Sequence, residues 1–172
     1  MTKTGFNAQI EELASKNQDI LKKVQSVHEG ILQRIVNEES EIDVCLLNED
    51  DVGYKVHTEK KLELRDIDWI VNAYLSADVM RMCDCTAVKM RTNDPQKIID
   101  RVEKQNEELL RRVYEVWKRV NNIYKSLEGE TRAYTLNHDD YGVLFSTECS
   151  NTVWNVLSTF NYYFFEYIFK QK

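Results

Sequence analysis

The chain has 172 residues, 42% of them hydrophobic and 30% charged, with five glycines and a single proline. That profile describes an ordered, helix-rich globular protein and excludes a disordered tail. A formal net charge of -6 excludes a general electrostatic grip on nucleic acid or an anionic bilayer.

Residues 6–41 read as a first helix. Ile10, Leu13, Ile20, Val24, Val27 and Ile31 recur at the a and d positions of a heptad, and Asn17 takes one a position. Beyond Ile31 the seam fades, with Ile35 and Ile42 drifting off it. Residues 42–47 are β-branched and apolar, 48–51 are polar, Gly53 follows, and 54–58 alternate. This predicts a strand, a tight turn and a second strand.

Helical spacing returns over 64–90, where Ile67, Val71, Leu75, Val79 and Met82 form one stripe with Trp69, Ile70 and Tyr74 beside it. Asp94-Pro95 then marks a new helix start, an N-cap acceptor followed by a ring that suits the first helical position. This third helix, 95–127, carries Ile99, Val102, Leu109, Val113, Val116, Val120, Ile123 and Leu127 on an unbroken a/d seam. Asn106 sits in it as Asn17 does in the first. A buried Asn at an a position is tolerated when it bonds a second Asn at the same level. The first and third helices are therefore expected to run parallel and in register, with Asn17 facing Asn106.

Gly129 is expected to stop the third helix, and 131–136, 137–142 and 143–147 to form a second hairpin. Ser150 or Asn151 is the expected cap of a last helix with core residues Val153, Leu157, Phe160, Phe164 and Ile168, in which Trp154 matches Trp69. Tyr162, Phe165 and Phe169 form a second stripe off that core face. A helix that is apolar on two sides needs a second surface to pack on, either a central place in the bundle or a partner. Asn155, Asn161 and Glu166 argue against a membrane span.

An internal match organises these elements. Leu47-Asn48-Glu49-Asp50-Asp51-Val52-Gly53 returns as Leu136-Asn137-His138-Asp139-Asp140-Tyr141-Gly142. At the same spacing Asn17, Leu21, Val24, Val27, Glu39, Glu41, Thr58 and Glu59 also meet identical residues, the mark of an internal duplication. The expected fold is mainly α (α+β): a pseudo-twofold four-helix bundle of two helix-hairpin-helix repeats, with two short β-hairpins at one end. A single domain over 1–172 is expected, made of repeats at about 6–90 and 94–172.

Chemistry is sparse. Counting from Asn48, Asp50 is third, Gly53 sixth and Glu59 twelfth; Asn137, Asp139, Gly142 and Glu148 fall in the same places of the second copy. Those are calcium-loop positions in an EF-hand, but Val52 and Tyr141 replace the oxygen ligand at the fifth. A turn built from Asn, Asp and Gly is the simpler reading. Cys45, Cys83, Cys85 and Cys149 read as buried free thiols, since no Cys or His pair at zinc spacing completes a site. With no apolar leader in residues 1–7, a reducing cytoplasmic or nuclear setting is expected.

His28 reads as a packing residue, and His57 and His138 as members of polar turns. No nucleophile elbow, phosphate-binding glycine loop or paired His motif is present. Lys22, Lys23, Arg111 and Arg112 read as solvated helix faces. The expectation is a non-enzymatic protein-protein interaction module, a subunit, adaptor or inhibitor, with no catalytic residue, cofactor or bound nucleic acid. It would meet a protein partner or a second copy through Tyr162, Phe165 and Phe169. The alternatives are a degenerate EF-hand-like calcium-binding regulatory protein, and a small hydrolase or nucleotide-handling enzyme with a pocket at His138, Asp139 and Asp140.

Overall fold

Heptad seams set the architecture. The computed structural model describes residues 3–85 and 94–170, and these form five helices: α1 (Lys3–Leu47), α2 (Asp51–Leu75), the short α3 (Ala77–Cys83), α4 (Pro95–Leu136) and α5 (Asp140–Lys170). The α1 seam buries Asn17, Ile20, Val24, Val27 and Ile31, and α4 buries Ile99, Val102, Asn106, Leu109, Val113, Val116 and Val120. Buried side chains of α1, α2, α4 and α5, with Cys83 of α3, join in one hydrophobic cluster. The result is a helical bundle.

α1 and α4 run side by side in the same direction. At one level the Asn17 Nδ2 donates to Asn106 Oδ1 at 2.7 Å, 89 residues apart in sequence. At the other end, Lys55 and Glu59 near the start of α2 lie beside Leu127 and Tyr134 near the end of α4. Since α2 reverses on α1 through a short turn, both helix-helix turns sit at one end of the bundle. The expected Asn-to-Asn pairing is therefore met, and its bonding capacity is used more fully than the seam alone foretold. Asn17 Nδ2 also donates to the Cys83 carbonyl at 3.0 Å, the Cys85 N–H donates to Asn17 Oδ1 at 3.1 Å, and Asn106 Nδ2 donates to the Leu13 carbonyl at 3.2 Å. The pair thus ties the chain leaving α3 to the α1–α4 seam.

The two β-hairpins are corrected to helix-turn-helix junctions: there is no strand among the described residues. Residues 42–47 and 54–58 belong to α1 and α2, and 131–136 and 143–147 to α4 and α5. The α1 seam does not fade after Ile31. Ile35, Ile42 and Cys45 stay buried at helical spacing, which a strand would have split between two faces. The polar turn is a helix stop followed by a helix start. Glu49 and His138 take left-handed φ values of 56° and 55°, and the Asp50 and Asp139 carboxylates each accept from the N–H three residues on, Gly53 and Gly142, at 2.9 Å.

Gly129 does not end α4: it is an exposed position inside the helix, and one glycine there weakens a helix without breaking it. Ser150 and Asn151 are no cap; they lie inside α5, which Asp139 begins. The helix expected over 64–90 starts earlier and breaks at Ser76, whose extended backbone (ψ 161°) and hydroxyl cap α3. That break leaves Met82 73% exposed rather than on the core stripe. The expected boundary between the repeats, and residues 86–90 of that helix, lie outside the described residues.

Candidate functional site

The calcium reading fails on geometry. An EF-hand loop wraps its ligands around the ion, yet Asp51–Leu75 and Asp140–Lys170 are helical from the residue after each capping Asp. Glu59 and Glu148 therefore sit roughly 13 Å along a helix from Asp50 and Asp139. Asn48 and Asn137 lie in the helix-helix turns, and both capping carboxylates are spent on backbone N–H groups. Among the described residues, no group of three or more His, Cys, Asp or Glu is placed to hold a metal ion.

The groups singled out for catalysis are dispersed. His138, Asp139 and Asp140 are exposed on the turn tip rather than lining a deep pocket. His28 pairs with Asp68 across α1 and α2 at 2.8 Å, and His57 with Glu38 at 2.6 Å, where Lys60 also reaches Glu38 at 3.0 Å. All four cysteines are buried free thiols. Burial is the first cause that raises each of them, Cys149 to about 12, the opposite of an activated nucleophile. Arg111 and Arg112 both donate to Glu108 of their own helix. Lys23 pairs with Asp19 at 2.7 Å.

At the turn end, a cavity of about 350 Å³ is lined by Glu59 and Glu63 of α2, Glu130 of α4 and Ser146 and Cys149 of α5. Burial, then the charges of Asp66, Glu130 and Glu59, raise the Glu63 carboxyl above its ordinary value of 4.5. A raised folded-state value means that Glu63 supports the fold fully below pH 4.5 and that this support is lost as pH rises through the folded value. Glu63→Gln removes the titration. It is expected to raise the melting temperature at pH 7.5 by a few degrees and to change it little at pH 4. A melting-temperature difference that does not vary with pH would exclude this assignment.

The remaining feature is the outer face of α5. Its inner face buries Val153, Val156, Leu157, Phe160, Phe164 and Ile168 against the bundle, and the Trp117 Nε1–H donates to Asn161 Oδ1 at 3.0 Å, fixing its rotation against α4. One residue further round lie Trp154, Ser158, Tyr162, Phe165 and Phe169, at steps of four, four, three and four. The four aromatics are 48%, 82%, 58% and 43% exposed. Phe165 and Phe169 pack with tilted rings, centroids 4.4 Å apart, and Trp154 rests on Tyr124 at 5.3 Å. The stripe continues past a non-helical break at Phe164 (φ -126°, ψ 19°). Beside it, a groove of about 530 Å³ runs between α5 and Lys16, Asp19 and Lys23 of α1, over Leu110.

The sequence-expected trio Tyr162, Phe165 and Phe169 is thus brought together on one exposed face. Trp154 and Ser158 were missed as its continuation, although the four-four-three-four spacing carried that signal. Among the described residues, no helix is long and apolar enough to cross a membrane. The fold and this surface define a helical bundle with a solvent-exposed aromatic helix face. No family model, curated protein or solved structure matches the chain.

Proposed function

We propose that this protein is a non-enzymatic protein-protein interaction module, a subunit, adaptor or inhibitor, whose docking face is the α5 stripe. The single observation that carries this is the exposure of Trp154, Tyr162, Phe165 and Phe169 along one side of α5, on both sides of its break at Phe164. Burying large aromatics is among the strongest favourable terms in association, and aromatic rows at helical spacing are what helix-in-groove docking uses as anchors. The bundle behind the row is a rigid support, which lowers the ordering cost of binding.

Within this proposal the two helical hairpins descend from one duplicated unit with pseudo-twofold placement, a reading supported by the recurring Asn-x-Asp-Asp-x-Gly turn and its identical capping bonds. Four buried free thiols suit a reducing cytoplasmic or nuclear compartment. The net charge of -6 disfavours nucleic acid as the partner.

Affinity capture followed by mass spectrometry tests the docking face. Tyr162→Ser, Phe165→Ser and Phe169→Ser together are expected to abolish recovery of the bound protein. The helical content read by circular dichroism should stay that of the parent, because these side chains are exposed on the folded chain. Recovery of the same protein by parent and triple variant would remove the α5 face from the proposal.

A further inference from the structure

We infer that the occupant of the α5 stripe is a second copy of this chain, docked α5 against α5 in antiparallel orientation; this rests on the reading of the stripe as a docking face. Charge is the first reason. The chain is 30% charged with a net charge of -6, so two copies repel across most of their surfaces. Residues 149–165 contain no Asp, Glu, Lys, Arg or His. A twofold contact sets a patch against itself, and only a patch without net charge is complementary to its own copy. The exposed polar groups within the run, Asn151 and Asn155, carry both donors and acceptors and suit self-pairing.

Area is the second reason. At the exposures given above, the four aromatics offer roughly 500 Å² per copy, taking about 200 Å² for each side chain. A stable interface buries about 800 Å² per partner. The row therefore supplies more than half, and its flanks, Asn155, Ser158 and Glu166 with Lys16 and Lys23 across the groove, lie where the remainder is needed.

Orientation follows from side-chain size and charge. In an antiparallel pair, Trp154 faces Phe169, Ser158 faces Phe165, and Tyr162 lies beside the dyad, so small meets large along the row. Glu166 and Lys170 then face the uncharged stretch of the other copy. A parallel pair would instead stack Phe165 on Phe165 and leave Ser158 against Ser158. It would also bring Glu166 to Glu166 and Lys170 to Lys170.

Sedimentation equilibrium across a concentration series tests association, with cross-linking to read the register. The parent is expected to reach twice the chain mass. Trp154→Ser and Phe165→Ser are each expected to weaken dimerisation about 1000-fold, because a loss of about 30-fold for one anchor occurs twice in a twofold dimer. The native cysteines are buried, so introduced ones report cleanly. Tyr162→Cys should cross-link to itself, and Ser158→Cys to Phe165→Cys but not to itself. A dimer unaffected by both serine variants, or Ser158→Cys joining to itself, overturns the inference. A parent that stays monomeric while the stripe variants lose a different protein overturns the second copy as occupant and leaves the docking face standing. If the parent stays monomeric and capture is unchanged by the variants, both readings fall.

Discussion

Asn17→Ala is expected to destabilise the protein by about 3 kcal/mol, lowering the melting temperature by roughly 6–12 °C. The Asn17 side chain is fully buried and makes three bonds, to Asn106 Oδ1, the Cys83 carbonyl and the Cys85 N–H. Truncation leaves all three partners in apolar surroundings without that bond, and an unmade bond in the interior costs far more than a made one contributes. Asn106→Ala is expected to cost less, since Asn17 keeps both of its backbone partners. The double variant should be milder than the sum of the two, by about 1 kcal/mol or more, because the residues are in direct contact. Thermal melts of the full cycle measure this; strict additivity would mean that the 2.7 Å bond between them contributes nothing.

A second consequence concerns glycines that look alike in sequence. Gly53→Ala is expected to cost about 1–3 kcal/mol, whereas Gly129→Ala is expected to add about 1 kcal/mol of stability. Both lie in helices and neither has positive φ, so helix propensity alone predicts stabilisation at each. Space separates them. A Cβ on Gly129 meets nothing within 4 Å, while one on Gly53 comes 2.7 Å from Cys45 Sγ and presses on the Asp50 carboxylate that caps the same helix. Gly142 repeats the situation against the Tyr134 ring, with a Cβ 2.8 Å from Cε1. Cys45→Ala in the Gly53→Ala background should recover part of the loss. Equal gains in melting temperature for both alanine variants would refute the close approach.

These glycines also explain a misreading. In a hairpin turn of the form Asn-x-Asp-Asp-x-Gly, the glycine would provide the left-handed bend. The left-handed positions are instead Glu49 and His138, and the glycines let the first turn of one helix press against the last turns of the previous one. A motif made of the right residues for a hairpin turn is equally right for a helix C-cap followed by an Asp N-cap. Locally, nothing in 42–58 distinguishes the two.

Amino-acid order alone was enough for whatever depends on repetition along one helix: the seams of α1 and α4, the matched levels of Asn17 and Asn106, the start at Pro95, and the apolar row Tyr162, Phe165, Phe169 beside the α5 core stripe. Each is a periodic pattern over several turns, and a period survives without knowledge of neighbours. Whether residues 42–58 and 131–147 would be strand or helix was settled only in three dimensions, since it turns on burying Ile42 and Cys45 of α1 and Val56 of α2 on either side of the turn. The bonds from Asn17 to the backbone of Cys83 and Cys85 likewise depend on where α3 docks, 66 and 68 residues away. Contacts across such separations leave no periodic trace, because they are decided by which surfaces meet once the helices have packed.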